Sequence, residues 1–140
     1  MLSKLPNVHL LGQRQHVELA RYIRGFDVCI VPYLVSAATA TVVPVKIGEY
    51  LAMGKPIVST PLPTVCEFNR EQDVLLIAAN QADDFLRAVE CALRSSDDPE
   101  RAARRREVAA RNDGQHIMSV MNALIESRIQ KKSANSEARA

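Results

Sequence analysis

Residues 42–60, V-V-P-V-K-I-G-E-Y-L-A-M-G-K-P-I-V-S-T, constrain the fold of this chain more than any other stretch. They read as loop, helix, tight turn and buried strand, and each boundary has a chemical cause. Pro44 suits the first helical position, where its fixed φ is already helical and its missing N–H would have had no partner. Gly54 suits the residue after the last turn, because a left-handed backbone carries no Cβ penalty in glycine. Ile57 and Val58 follow with no polar break, as in a short strand covered on both faces. Within the helix Val43, Ile47 and Leu51 recur every four residues and form one apolar stripe. Glu49 lies about 200° around the helix from Ile47 and points away from that stripe.

Lys46 precedes Glu49 by three residues on the same outer side. By themselves the two read as a solvated ion pair, since exposed pairs of this kind are common and weak. The alternative is a ligand face. A loop that runs into a helix leaves backbone N–H groups unpaired, here those of Val45 and Lys46, and these suit a phosphate.

The rest of the chain repeats the alternation. Residues 8–11 (V-H-L-L) read as a short strand ending at Gly12. A helix over residues 15–24 carries Leu19, Tyr22 and Ile23, with Phe26 beyond it and Gly25 as its cap. Residues 27–32 (D-V-C-I-V-P) form the clearest buried strand, closed by a proline that cannot donate to a ladder. Residues 36–41 (S-A-A-T-A-T) are small and aperiodic, as in a mobile loop. Pro61 and Pro63 favour an extended turn, with one helical turn at most in the T-V-C-E-F-N that follows, and Glu67 there reads as a surface residue.

Residues 74–78 (V-L-L-I-A) are a further strand and Asn80 a candidate N-cap. The helix after it places Ala82, Phe85, Leu86, Val89, Ala92 and Leu93 on one side. Asp98 and Pro99 open an Arg-rich helix with Arg101, Arg104, Arg105, Arg106 and Arg111, read as a solvated face because no aromatic residue is interleaved. A last helix carries Ile117, Val120, Met121, Leu124, Ile125 and Arg128 on one side. Residues 131–140 lack apolar periodicity and read as a disordered tail, leaving one domain over 1–130. That gives an α/β fold with a parallel sheet.

A chain of 140 residues can bury about 68% of the surface its unfolded form exposes, enough for one real core. A net charge of +2 is too slight to imply nucleic acid or an anionic membrane surface as a partner. No apolar run approaches the roughly 20 residues that cross a bilayer, and no signal pattern opens the chain, so a cytoplasmic location is the expectation. Cys29, Cys66 and Cys91 include no C-x-x-C pair and read as buried thiols rather than a disulfide framework or zinc site. His9, His16 and His116 share no ligand or catalytic spacing. No metal site or cofactor is expected. The absence of G-x-G-x-x-G, G-x-S-x-G and G-K-[ST] argues against dinucleotide, hydrolase and P-loop chemistry.

The string P-V-K-I-G-E-Y-L-A-M-G-K-P-I-V-S-T, with G-F-D-V-C-I-V-P-Y upstream, resembles the C-terminal domain of retaining glycosyltransferases of family 4, whose architecture is two Rossmann-like domains (GT-B). The likeness runs from about residue 7 to about residue 129. It implies a Rossmann-like sheet flanked by helices and a nucleotide-sugar donor, UDP- or GDP-linked, held as substrate. It further implies that Glu49 hydrogen-bonds the ribose hydroxyls, that the helix start at Val45 and Lys46 faces the diphosphate, and that Tyr33 and the run to Thr41 lie near the donor. Thr41 stands where the family commonly has a second Glu aimed at the transferred sugar, and Val42, Val43 and Pro44 replace the usual small glycines.

In the family's strand order, 3-2-1-4-5-6, the strands here correspond to the last four. The resemblance therefore implies a fragment: a partial donor-binding domain whose structural partner is an N-terminal domain that also supplies the acceptor site. The expected activity is sugar transfer with retention in an intact parent, in polysaccharide or glycoconjugate assembly, with the 140-residue chain itself inactive. The competing expectation is a non-enzymatic Rossmann-like module that associates through its final helix, which Thr41 and the missing glycines favour.

Overall fold

The computed structural model describes residues 4–137, and their side chains except at 115–117 and 130–137. Strands β1 (Cys29–Val31), β2 (Ile57–Ser59) and β3 (Leu76–Ile77) form one sheet in the order β1-β2-β3, with both pairings parallel. Val58 is the register centre, opposite Ile30 on one side and Leu76 on the other. Among the described residues six helices accompany the sheet: α1 (Leu19–Arg24), α2 (Lys46–Ala52), α3 (Pro63–Gln72), α4 (Ala82–Arg94), α5 (Pro99–Arg111) and α6 (Gly114–Glu137). This is the expected Rossmann-like α/β arrangement, in which helical crossovers connect parallel neighbours.

The apolar run of β2 is unbroken because both its faces are covered. Successive side chains point to opposite faces. Ile57 packs in a cluster with Ile47 and Leu51 of α2, Val65 of α3 and Val108 of α5. Val58, with no exposed surface, packs against Ala78 and against Ala92 of α4. β1 is less protected: Cys29 and Val31 are buried, whereas Ile30 between them is 48% exposed. α4 packs on β2 and β3.

Two boundaries form as the sequence predicts. Gly54 is left-handed at φ +70° and donates its N–H to Leu51 at 2.8 Å. Asp98 caps α5 by accepting the N–H groups of Glu100 and Arg101, each at 3.0 Å, with Pro99 at the first turn. Others differ. α2 begins at Lys46 with Val45 as its cap residue, so Pro44 sits just before the helix, buried, its carbonyl accepting the Ile47 N–H at 3.1 Å. Val43 is 72% exposed, and the buried stripe reduces to Ile47 and Leu51.

Residues 8–11 form no strand. A strand exists only through its ladder, and among the described residues the sheet has three members, none of them this run; Leu10 and Leu11 are accordingly exposed. The turn expected after Pro63 is instead the ten-residue α3. Proline at a first helical position starts a helix rather than breaking one, and burial of Val65 and Leu62 anchors it. α3 ends on Asp73 at φ 49°. There the Asn69 carboxamide oxygen accepts the N–H groups of Val74 (2.9 Å) and Leu75 (2.7 Å), and its nitrogen donates to the Leu75 carbonyl (3.0 Å).

Gln81 rather than Asn80 occupies the cap position of α4, without a side-chain cap bond. On that helix Ala92 is buried and Phe85 and Val89 half-buried, while Leu86 and Leu93 face solvent. α6 leaves Val120, Met121, Leu124 and Ile125 exposed; the side chain of Ile117 lies outside the described residues. α6 extends to Glu137, so residues 131–137, expected as disordered tail, are helical: they contain no Gly or Pro to stop it. Residues 138–140 lie outside the described part. No helix among the described residues is long and apolar enough to cross a membrane, and no group of three candidate metal ligands occurs among them.

The cysteines divide. Cys29 is buried as expected, Cys66 partly, and Cys91 is exposed, against expectation. Cys91 lies on the outer side of α4, next to buried Ala92. Burial pushes the Cys29 thiol up to about 11, partly offset by the Lys55 ammonium, so it stays a neutral, poorly nucleophilic thiol below that pH. Brief iodoacetamide treatment of the native chain at pH 8, read by peptide mass spectrometry, is expected to label Cys91 and spare Cys29; equal labelling would mean that β1 opens readily.

Candidate functional site

The C-terminal ends of all three strands open into one cleft of about 470 Å³, lined by Tyr33 and Leu34 after β1, Thr60 after β2, and Asn80 and Gln81 after β3. This is the edge at which open parallel sheets bind ligands. The Thr60 hydroxyl donates to the Tyr33 carbonyl at 2.8 Å and ties the two strand ends together. The loop beyond Tyr33, expected to be mobile, holds a 3₁₀ turn (Ala37–Thr39). Thr39 organises it: its hydroxyl donates to the Leu34 carbonyl at 2.6 Å and accepts the Ser36 N–H at 2.9 Å. Further on, Thr64 of α3 donates to the Val42 carbonyl at 2.6 Å. The small polar residues that look aperiodic in sequence are thus the hydrogen-bonding groups of a turn.

A second, larger cleft of about 580 Å³ lies between α2 and the second half of α5, lined by Val45, Gly48 and Glu49, by His16, and by Arg106 of α5 and its cap residue Asn112. The Glu49 carboxylate is partly exposed there, its Oε1 3.1 Å from His16 Nε2. His16 is itself 84% exposed, so the contact is a surface pairing that a ligand can displace at little cost. The expected Lys46–Glu49 pair does not form. A basic residue N-terminal to an acidic one is the weaker orientation on a helix, and Lys46 faces solvent. His16, to which the sequence assigns no chemistry, is the partner instead; it is 33 residues away, a separation no local pattern reveals.

Of the five residues singled out from the sequence, Val45 and Glu49 share the α2 cleft, and Tyr33 lines the cleft at the strand ends. Thr41 is exposed in the turn just before α2, and Lys46 opens that helix; neither lines either cleft. The Arg-rich face of α5 is not solvated throughout. Arg105 is 6% exposed and donates through one terminal nitrogen to the Gly54 carbonyl at 3.2 Å, at the end of α2. Burial, and secondarily the charge of Arg101, lowers its pKa from the usual arginine value. The signal that could have found it is Gly54 itself, whose bare carbonyl at a helix end requires a donor.

The profile of a family described as Glycosyl transferases group 1 matches residues 1–95. A protein of Bacillus subtilis (strain 168), named provisionally as the teichuronic acid biosynthesis glycosyltransferase TuaH, is 32% identical over 112 residues, covering 80% of this chain and 28% of its own length. The chain therefore spans under a third of that relative. No solved structure matches. With a parallel α/β sheet, a cleft at its C-terminal edge and a family match over 95 of 140 residues, the chain belongs to the group 1 glycosyltransferases.

Proposed function

We propose that this chain is the donor-binding part of an enzyme that transfers a sugar from a nucleotide sugar to an acceptor with retention of configuration. One observation carries it: the Glu49 carboxylate stands in the wall of a cleft of about 580 Å³, and among the described residues its ion-pair partner is an exposed imidazole. A carboxylate so placed accepts hydrogen bonds from vicinal hydroxyls, the groups a ribose presents. α2 is seven residues long, so its first N–H groups at Val45 and Lys46 make a secondary contribution toward the diphosphate; Tyr33, in the separate cleft at the strand ends, and Thr41, which lines neither cleft, border only a donor that extends beyond the Glu49 cleft. A threonine at 41 can hydrogen-bond a sugar but cannot supply the charge of the glutamate common in the family.

The exposed Ile30 of β1, the run 8–11 that joins no strand of the described sheet, and the exposed apolar residues of α6 support a second element of the proposal: the chain is a fragment that acts with an N-terminal domain carrying the acceptor site. The relative's name supports a role in surface-polymer or glycoconjugate assembly. Alone, the 140-residue chain is expected to bind nucleotide without turnover.

Titration of the chain with UDP and with GDP, followed by amide NMR, tests this. Saturable shifts at residues 45–49 are expected, and the tighter nucleotide identifies the donor class. Charge-assisted hydrogen bonds are worth roughly 1.5–3 kcal/mol each, so Glu49→Ala is expected to weaken binding by about tenfold or more while moving stability by under about 0.5 kcal/mol. His16→Ala, which removes the exposed competitor for Glu49, is expected to leave stability intact and not to weaken binding. Unaltered binding in Glu49→Ala would overturn the assignment.

A further inference from the structure

A third cleft, of about 300 Å³, opens at the opposite end of the sheet, where residues 56–57 lead into β2 and residues 73–76 lead into β3. Its outer wall is Arg101, Arg104 and Arg105 of α5, with Ser95 beside them and Asp73 as the one carboxylate that lines it. It shares no residue with the Glu49 cleft or the cleft at the strand C-termini.

Each of the three arginines has a protein partner and also lines the cleft. Arg101 meets the Asp98 carboxylate through Nε at 3.3 Å, and Arg104 meets Glu107 through one terminal nitrogen at 3.1 Å. Arg105, almost wholly buried, spends one terminal nitrogen on the Gly54 carbonyl. A guanidinium carries five N–H donors, and among the described residues no buried side-chain nitrogen lacks a partner. Any Arg105 nitrogen without a protein partner is therefore not sealed in protein, and Arg105 is one of the residues that line the cleft.

We propose that this cleft binds a small phosphate-bearing anion, inorganic phosphate or a phosphomonoester. Guanidinium forks match the oxygens of a phosphate two at a time, and a cavity near the lower end of the ligand-pocket range suits a small ligand rather than a nucleotide sugar. The desolvated charge of Arg105 gains most, because a neighbouring anion acts there at reduced dielectric. Arg101, Arg104 and Arg105 stand at i, i+3 and i+4 of α5 and so share one face of that helix, which brings all three to the same cleft. The proposal is independent of the donor site.

The test is an amide NMR titration of the 140-residue chain with inorganic phosphate at constant ionic strength, then with glycerol 3-phosphate. Saturable shifts at residues 73–76 and 101–105, with residues 45–49 unmoved, are expected for phosphate, and for the ester if the ligand is a phosphomonoester. The double variant Arg101→Gln, Arg104→Gln, at side chains 63% and 43% exposed, is expected to fold normally and to bind at least tenfold more weakly. No saturable shift, shifts reproduced by sodium chloride, or undiminished binding in the double variant would each overturn the proposal. So would capture of the chain by phosphatidic acid vesicles without any response to free phosphate, which would assign the charge to a lipid surface.

Discussion

Leu51→Ala is expected to destabilise the chain by about 2–5 kcal/mol, a large part of the roughly 5–15 kcal/mol that holds a typical domain together. Leu51 is 2% exposed and lies at the centre of the cluster that joins α2, β2, α3 and α5. The loss combines the transfer energy of the missing methyl groups with the cavity they leave. Collapse into that cavity is only partial, because Leu51 also lines an apolar groove of about 260 Å³ between α2 and α3, whose opening lets solvent approach. The expected cost therefore falls in the middle of the range, with a drop in thermal midpoint on the order of 10 °C. Guanidinium unfolding followed by circular dichroism measures it. A cost under about 1 kcal/mol would show that α2 is not part of the cooperative core. The contrast with Glu49→Ala, two residues away and structurally neutral, separates the two faces of the same helix.

What the sequence reveals about this fold is what local chemistry decides. β2 is legible because a strand covered on both faces needs an unbroken apolar run, β1 because its apolar run is buried at Cys29 and Val31 even though Ile30 is exposed, and the end of α2 and the start of α5 because Gly54 and the Asp98–Pro99 pair answer to backbone geometry alone. Residues 8–11 have the composition of a strand and lack a neighbour to pair with, and pairing is a property of the sheet, not of the segment. α3 is hidden by two prolines and a short apolar period, although Pro63 is its first residue. The candidate site divides in the same way. The exposure of Glu49 follows from helical angle, so the sequence predicts it. Its pairing with His16, the gathering of Tyr33 and Thr60 at the strand ends, and the burial of Arg105 arise from elements 27 to 51 residues apart and are visible only once the sheet brings them together.

Gly54→Ala is expected to cost about 2–4 kcal/mol, from two additive sources. The backbone at φ +70° is left-handed, which costs a Cβ-bearing residue about 1 kcal/mol or more. A Cβ built there also meets the Ala102 carbonyl oxygen at 3.1 Å and the Ala102 Cβ at 3.3 Å, both fixed on α5, so the helix must move. Overpacking of this kind costs about 1–3 kcal/mol. The Arg106 guanidinium, nominally at 2.6 Å, is the end of a flexible side chain and swings away. Displacing α5 also strains the Arg105 bond to the Gly54 carbonyl, so the damage reaches the arginine cleft. The expected result is a thermal midpoint lowered by about 5–12 °C, accompanied by phosphate binding weaker than in the parent chain, while Gly48→Ala, where a Cβ meets nothing within 4 Å, leaves both unchanged. A Gly54→Ala variant as stable as the parent would mean that α5 is held less tightly against α2 than the close approach of Ala102 implies.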